Sequence, residues 1–334
     1  MTPDSLLSLL HKVIPAQLPL LISGKPGVGK TAIAQAVAEE LGYRLIVSHP
    51  VIADPTDFKG LPWVCDGNAD FLPIGEVRQL LEVTDPTIWL IDDLGQAPLA
   101  VQAALMQLIH KGSRQLGGKR LADCVAIVAC TNRRQDKAGV HGFLEPVKSR
   151  FLTHVELEPD VQQWSTWAFE NDLHPMVPAF LRWRPDLLSR FDPNFGLEQS
   201  PSPRGWEHVS RILGLGLDDD LLLLETITGA VGEGAATELM AFLKTWRALP
   251  DLERVLADPG GASVPEEPSA RYAVCAALAH RAAEDTIGPI LEYGSRLPEE
   301  FQVVLVHFAK VRNPVITNTA AYVKWAVDHQ EVLL

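Results

Sequence analysis

One segment near the amino terminus has the composition of a loop that binds phosphate groups. Residues 24–31 read Gly-Lys-Pro-Gly-Val-Gly-Lys-Thr and match the pattern G-x-x-x-x-G-K-[ST]. Glycines let backbone N–H groups curl around phosphates, and a helix that begins near Gly29 would aim its positive end at them. In this pattern Lys30 contacts the β- and γ-phosphates, and the Thr31 hydroxyl is a ligand of Mg²⁺. The residues predicted to bind ATP are Gly24, Lys25, Pro26, Gly27, Val28, Gly29, Lys30 and Thr31.

The surroundings of this segment argue against a chance match. A chain of ordinary composition contains the pattern by chance about once in a hundred cases. Here an apolar run at residues 18–22 precedes the segment and an alanine-rich helical stretch at 31–41 follows it. A strand, a glycine-rich turn and a helix are the context that a phosphate-binding loop requires.

A second motif supplies two adjacent carboxylates. The apolar run Trp89-Leu90-Ile91 ends in Asp92 and Asp93. An aspartate in this position holds Mg²⁺ in nucleotide-binding proteins of this type, so we expect Asp92 to do so. Asp93 would then polarise the water that attacks the phosphate. The alternative, two solvated residues at a strand end, is weakened by the phosphate-binding loop upstream.

Composition narrows the class of partner and the compartment. The chain has 334 residues and a net charge of −13, so at long range it repels nucleic acid and anionic lipid, although a local basic patch could still bind either. The cysteines lack C-x-x-C spacing, which argues against zinc and disulfide frameworks. There is neither a run of about 18 apolar residues nor a signal peptide. We therefore expect a cytoplasmic protein with no membrane span.

The spacing of apolar runs predicts an α/β fold for the first half of the chain. Short buried strands separated by helical stretches indicate a parallel sheet sandwiched by helices. The predicted strands lie at residues 18–23, 44–48, 87–91 and 125–130. Two interruptions break the rhythm: residues 54–75 predict an inserted loop or short hairpin, and residues 111–123 predict a hairpin around Gly117-Gly118.

After residue 157 the pattern becomes helical. We divide the chain into an α/β nucleotide-binding core at 1–157, a small helical domain at 158–250, and a linker with a C-terminal helical element at 251–334. The linker is predicted at 258–269, where proline and glycine are frequent.

Together these motifs resemble the AAA+ superfamily of ATPases and, within it, the MoxR-type group. The resemblance covers residues 18–213. Residues 91–98 with 101–105 are similar to the Walker B strand and the helix that follows it. Residues 128–132 are similar to the sensor 1 strand, and residues 202–205 to the sensor 2 motif that opens a helix of the lid domain. The helical domain at 158–250 would then be the lid.

The resemblance implies roles for three further polar residues. Asn132 would be the sensor 1 residue, Arg204 the sensor 2 arginine, and Arg150 the arginine finger. A finger from a neighbouring subunit stabilises the transferring phosphoryl group by a factor of about 10³–10⁵ and requires oligomerisation. The structural alternatives are a turn residue at a strand end for Asn132, a surface arginine in a first helical turn for Arg204, and a surface ion pair for Arg150.

The two interruptions fall where the MoxR-type group carries an insert in helix 2 and a hairpin before sensor 1. In such relatives both elements face a central pore or a partner. The charged residues Lys111, Arg114, Lys119 and Arg120 could form a basic pore surface or a solvated hairpin. The aromatic residues Phe58, Trp63 and Phe71 could contact a partner or pack the insert down.

The resemblance implies a Mg²⁺-dependent ATPase that forms a homo-oligomeric ring, expected to be hexameric, and that remodels or activates a protein partner. Such relatives work beside a protein with a von Willebrand factor A domain. One departure favours an alternative: most AAA+ members have glutamate where this chain has Asp93, and a misplacement of about 1 Å can cost about a hundredfold in rate. The alternative is an ATP-gated scaffold with little hydrolysis. A DNA-directed motor is disfavoured by the acidic charge and by the lack of a recognisable DNA-binding domain.

Overall fold

The computed structural model describes residues 1–65, 67–110, 112, 114–116, 119–136, 142–191 and 199–329. These residues fall into two compact units. The first comprises Met1–Pro159 with Phe191, and the second comprises Asp160–Arg190 with residues 199–329. The phosphate-binding loop and both aspartates belong to the first unit.

The first unit contains a five-stranded parallel sheet and two small antiparallel hairpins. Its strands are β1 (Leu20–Gly24), β2 (Arg44–Ser48), β3 (Leu61–Cys65), β4 (Asn68–Leu72), β5 (Thr87–Ile91), β6 (Gln115–Leu116), β7 (Lys119–Arg120), β8 (Val125–Asn132) and β9 (Thr153–Leu157). The five-stranded sheet has the order β2-β5-β8-β1-β9, and its neighbouring strands are parallel. The predicted parallel sheet is confirmed.

Strand register brings the predicted site residues to one edge of this sheet. Gly24, the last residue of β1, lies beside Asn132 of β8 on one side and Leu157 of β9 on the other. Ile91, which ends β5, pairs with Ala129 of β8. Because the strands are parallel, the loops that follow β1, β5 and β8 leave from the same edge.

Helices cover both faces of the sheet. They are α1 (Pro3–Val13), α2 (Lys30–Leu41), α3 (Pro55–Lys59), α4 (Gly75–Glu82), α5 (Leu99–Ile109) and α6 (Glu145–Lys148). Alternate residues of a strand point to opposite faces, so β5 sends Leu90 into a core with α1 and α2, and Trp89 into a core with α4 and α5. Both cores are apolar, which explains why the central strands are hydrophobic along their whole length.

The two interruptions are hairpins. In the first, β3 pairs with β4 after the short helix α3, whose amino terminus is capped by Asp54. Phe58 is buried in the core, so it packs the insert against the sheet, whereas Trp63 is 58% exposed and Phe71 43% exposed.

In the second interruption β6 pairs with β7. Lys119 and Arg120 are exposed on this hairpin, and both Lys111 and the Gly117-Gly118 pair lie outside the described residues. Arg114 is buried and donates to the carbonyl of Val125. It therefore does not contribute to an exposed basic surface, because its guanidinium packs under the start of β8.

The second unit is helical. Its helices are α7 (Val161–Glu170), α8 (Met176–Trp183), α9 (Pro203–Leu213), α10 (Asp220–Val231), α11 (Glu233–Arg247), α12 (Leu252–Ala257), α13 (Pro268–His280), α14 (Ile287–Gly294), α15 (Glu299–Arg312) and α16 (Ala320–Asp328). One apolar core extends from Trp164 to Trp325 and includes helices on both sides of residue 250. The division into a lid at 158–250 and a C-terminal element stays a prediction. Among the described residues, no helix is both long and apolar enough to cross a membrane.

Candidate nucleotide-binding site

The loop between β1 and α2 has the backbone conformation that its glycines allow. Gly29 has φ 101° and caps the amino terminus of α2 in the left-handed region, which side chains other than glycine rarely adopt. Gly24 lies so close to β9 that a Cβ atom there would be 2.9 Å from the carbonyl oxygen of Leu157. Gly29 is thus required by the backbone conformation of the turn, and Gly24 by the close approach of β9.

Lys30 holds this loop together from inside. Its side chain is only 7% exposed. The Nζ atom donates to the carbonyl oxygens of Gly24 (3.1 Å) and Lys25 (3.1 Å) and to Oδ1 of Asn132 (2.8 Å). A buried ammonium is stable only when it is hydrogen-bonded, and these acceptors keep its charge at the open end of the loop.

Thr31 and Asp92 form the second contact of the site. The Thr31 hydroxyl donates to Oδ2 of Asp92 at 3.0 Å, and Oδ1 of Asp92 accepts the backbone N–H of Asp93 at 3.1 Å. Both side chains offer the oxygen ligands that Mg²⁺ prefers, and this ion usually binds through one or two protein groups plus substrate phosphates. The described part of the chain contains no cluster of three or more His, Cys, Asp or Glu side chains able to hold a metal.

Asp93 has a left-handed backbone conformation, and its carboxylate accepts hydrogen bonds from two side-chain amides. Its φ of 54° and ψ of 34° lie in the left-handed region, which aspartate tolerates better than most residues. Its Oδ1 accepts from Nε2 of Gln96 at 2.7 Å and from Nδ2 of Asn132 at 3.3 Å. Gln96 had no predicted role.

Asn132 joins the two halves of the site. Its Oδ1 accepts from Lys30 and its Nδ2 donates to Asp93. One hydrogen-bond network therefore contains Lys30 of the loop, Asp93 and Asn132 at the end of β8, and Thr31 and Asp92 lie directly beside it. The fold brings together these predicted site residues from three separate strands.

Arg150 lies outside that network. It follows α6 in a turn, is half-buried, and donates through Nη1 to the carbonyl of Pro146. Among the described residues it forms no ion pair, and its Nε is buried without a hydrogen-bond partner.

A buried glutamine fixes the segment that leads to Arg150. Gln102 on α5 is fully buried. Its Nε2 donates to the carbonyls of Ala97 (3.1 Å) and Gly142 (2.9 Å), and its Oε1 accepts the N–H of Leu144 at 3.1 Å. The turn after β5 and the start of α6 are therefore attached to the same side chain. The sequence gives only a weak signal for it, since Gln102 is one of two glutamines, with Gln107, in the otherwise apolar stretch 99–109.

Arg204 belongs to the second unit. It is the second residue of α9, it is exposed, and it follows Pro203 and the capping residue Ser202. The hydroxyl of Ser202 accepts the N–H of Gly205 at 3.1 Å. The sensor 2 role of Arg204 stays a prediction.

Two other polar groups near the end of β8 are structural. Hydrogen bonds from Arg133 to Asp136 and Glu156 raise the pKa of the Arg133 guanidinium, which therefore stays charged and ties β8 to β9. Burial raises the pKa of the Cys130 thiol far above its ordinary value. Because a thiolate is the reactive form, Cys130 is an inert core residue.

Comparison with known proteins agrees with this geometry. Residues 20–158 match the family described as "ATPase family associated with various cellular activities (AAA)". These residues are therefore similar to an AAA+ domain. An AAA+ domain is a nucleotide-binding domain with a P-loop, so this match agrees with the nucleotide binding predicted for this part of the chain. The MoxR-type subgroup stays a prediction.

Individual relatives share only part of their length with this chain. Midasin of Giardia intestinalis is 26% identical over 178 residues, which is 52% of this chain and 4% of midasin. The Holliday junction branch migration complex subunit RuvB of Salinibacter ruber (strain DSM 13855 / M31) is 35% identical over 71 residues, which is 21% of this chain and 20% of RuvB. A solved structure of Thermotoga maritima RuvB, a Holliday junction branch migration motor, has 16% identity and a TM-score of 0.40, and the match covers 75% of this chain and 76% of that chain.

Proposed function

We propose that this protein hydrolyses ATP in the presence of Mg²⁺, assembles as a homo-oligomeric ring, expected to be hexameric, and uses hydrolysis to remodel or activate a protein partner. The observation that carries the proposal is the network that joins Lys30, Asn132 and Asp93 beside the Thr31–Asp92 pair. These are the groups that positioning and charge stabilisation of a transferring phosphoryl group require.

Each residue of the loop has a role that follows from its chemistry. An ammonium group has three donors, and those of Lys30 already contact two loop carbonyls and Asn132. When a triphosphate binds, the lysine exchanges part of these contacts for phosphate oxygens. Thr31 and Asp92 would hold the Mg²⁺ ion, which neutralises charge on the β- and γ-phosphates when it is bound.

Asp93 is the proposed base and Asn132 its neighbour in the network. A carboxylate that accepts a hydrogen bond from the attacking water orients it and increases its nucleophilicity. Asn132 contacts both Asp93 and Lys30, so a change in the phosphate contacts of Lys30 is transmitted directly to the base. Asn132 would act as a sensor residue in this way, because it links the nucleotide contacts of Lys30 to the base.

The ring part of the proposal rests on Arg150. Its guanidinium has only a backbone carbonyl as a partner among the described residues, so its charge is available to a phosphate bound by a neighbouring subunit. Head-to-tail contacts of this kind form a ring when the rotation between neighbouring subunits closes. The proposal of a protein partner, with a von Willebrand factor A domain as its expected module, is supported by the MoxR-like motifs. Arg204 would contact the nucleotide from the lid.

A second candidate, an ATP-gated scaffold with little hydrolysis, is favoured by one observation. Asp93 has a shorter side chain than the usual glutamate, and its Oδ1 already accepts two amide donors. If that carboxylate does not reach the water, ATP would bind and drive assembly without rapid turnover.

The test is steady-state ATP hydrolysis as a function of protein concentration, for wild type, Arg150→Ala and the control Arg78→Ala, an exposed arginine on α4. We expect the specific activity of wild type and of the control to rise with concentration. Arg150→Ala should bind nucleotide normally but lose a factor of about 10³ or more in turnover. Activity that is independent of both concentration and Arg150 would contradict a shared site. Tight binding without hydrolysis in all three proteins would favour the scaffold.

A further inference from the structure

Gln96 is a buried amide whose hydrogen bonds are unevenly satisfied. It ends the short 3₁₀ turn Leu94–Gln96 and is 7% exposed. Its Nε2 donates to Oδ1 of Asp93 at 2.7 Å, whereas its Oε1 is buried with no hydrogen-bond partner among the described residues. Leaving a buried acceptor unpaired is unfavourable, and such a group in a folded protein requires an explanation. Among the described residues, the hydrogen bond to Asp93 is the only one that the side chain of Gln96 forms.

The turn that carries Gln96 has no room to move. A Cβ atom at Gly95 would collide with the hydroxyl of Thr131 and with the ring of Phe143, so the backbone of the turn lies directly against the end of β8. The N–H of Gln96 donates to the carbonyl of Asp93 at 2.9 Å. The left-handed backbone of Asp93 starts the turn, and the amide of Gln96 is thereby directed back to the carboxylate.

Both amide donors contact the same carboxylate oxygen. Gln96 and Asn132 each donate to Oδ1 of Asp93. In the part of the chain that the structure describes, Oδ2 accepts no hydrogen bond from protein. The donors thus determine the orientation of the carboxyl group and leave one oxygen to accept a hydrogen bond from a water molecule.

We propose that Gln96 is a positioning residue that holds the short carboxylate of Asp93 in the orientation needed to polarise the attacking water. The inference rests on the proposed ATPase function. It explains how aspartate can serve where most AAA+ members have glutamate: Gln96 fixes the direction of a side chain that is one methylene shorter. Because a misplacement of about 1 Å costs about a hundredfold, loss of this contact affects turnover rather than nucleotide binding.

The test is a double-mutant cycle on the full chain. Gln96→Leu removes the hydrogen-bond donor and keeps a side chain of similar volume, and Asp93→Asn removes the proposed base. The matched control is Gln79→Leu, because Gln79 is an exposed glutamine on α4. We expect Gln96→Leu to lower kcat by about 10- to 100-fold, with KM and the affinity for a fluorescent ADP analogue unchanged within about twofold. In the Asp93→Asn background the same substitution should have no further effect, because coupled residues are not additive.

Two further measurements separate positioning from stability. First, the longer acid in Gln96→Ala/Asp93→Glu should recover turnover to within about tenfold of wild type, because it enters the space that the amide leaves. Second, wild type and Gln79→Leu should retain ADP with aluminium fluoride, a complex that mimics the transferring phosphoryl group, and Gln96→Leu should not. If Gln96→Leu fails to fold, Gln96→Asn, a shorter amide, replaces it in each comparison.

The outcomes distinguish the two proposals. Normal turnover of Gln96→Leu, an equal loss in the Asp93→Asn background, or no recovery with the longer acid overturns the role of Gln96, while wild-type activity that is lost in Asp93→Asn still supports the ATPase. A wild-type chain that neither hydrolyses ATP nor retains ADP with aluminium fluoride overturns both.

Discussion

Gln102→Leu is the substitution whose effect on stability can be worked out most directly. It removes three hydrogen bonds at once, and the buried carbonyl of Ala97, the partly buried carbonyl of Gly142 and the partly buried N–H of Leu144 lose this partner. Each such group costs about 1–3 kcal/mol. Three unpaired groups at about 1.5 kcal/mol each lower the free energy of unfolding, and burial of the leucine side chain offsets about 1.5 kcal/mol of this. The net decrease in the free energy of unfolding is about 3 kcal/mol.

The loss should be local as well as global, because the bonds attach the segment before α6 to α5. Hydrogen exchange of the Leu144 amide measures it directly: about 3 kcal/mol corresponds to about a hundredfold faster exchange through local opening. Gln102→Glu retains the acceptor for Leu144 but sets a carboxylate against two carbonyls, so it should destabilise the first unit at least as much.

The exposed control Gln79→Leu should change stability by less than about 0.5 kcal/mol. Equal exchange of the Leu144 amide in wild type and Gln102→Leu would show that these hydrogen bonds contribute nothing to holding the segment.

Three further predictions concern the nucleotide site and the second unit. Lys30→Met should weaken binding of a fluorescent ATP analogue by about 10-fold or more, because it removes a charge-assisted contact; unchanged affinity would contradict the assignment. Asp92→Asn should raise the Mg²⁺ concentration needed for half-maximal ATP hydrolysis by about tenfold, and an unaltered Mg²⁺ titration would count against it. Burial and then the nearby His280 lower the pKa of His174, whose Nδ1 accepts the N–H of Met176. The folded-state pKa lies below the unfolded value of 6.5, so unfolding at lower pH takes up a proton. The contribution of neutral His174 to the free energy of unfolding is therefore fully present above about pH 6.5 and is lost as the pH falls through the folded-state pKa. Urea unfolding from pH 7.5 to 5 should therefore show a smaller loss of stability in His174→Gln than in wild type, and equal pH dependence would show that this histidine is not responsible.

Local signals in the sequence were sufficient for the central part of the fold. The strands at 44–48 and 87–91 and the hairpins at the two interruptions have the bounds or the position that the apolar runs and turn residues predict. β9 was not predicted because it is an edge strand: Thr153, His154 and Glu156 are exposed, so no apolar run marks it. Strand order is equally absent from local patterns, since it depends on contacts between segments far apart in the chain.

The site was predictable where a motif fixes the role of a residue, and not where a role depends on what a side chain happens to face. Lys30, Thr31 and Asp92 were predicted from motifs and their spacing, and Asn132 from the family resemblance, whereas no motif or spacing indicates Gln96. Arg114 shows that the same reasoning can also assign exposure wrongly. A basic residue in a hairpin is expected to be exposed to solvent, yet Arg114 is buried because the chain turns beneath β8.

The single core of the second unit has an evolutionary consequence. Helix α13 lies after residue 250, yet its side chains share one apolar cluster with those of α8 and α11. A gene rearrangement that deleted or exchanged the chain after α12 would uncover the apolar faces of the remaining helices, and the truncated product would lose stability before any change in its activity could be selected. The carboxy-terminal helices therefore cannot be removed without exposing apolar surface of the helices before them.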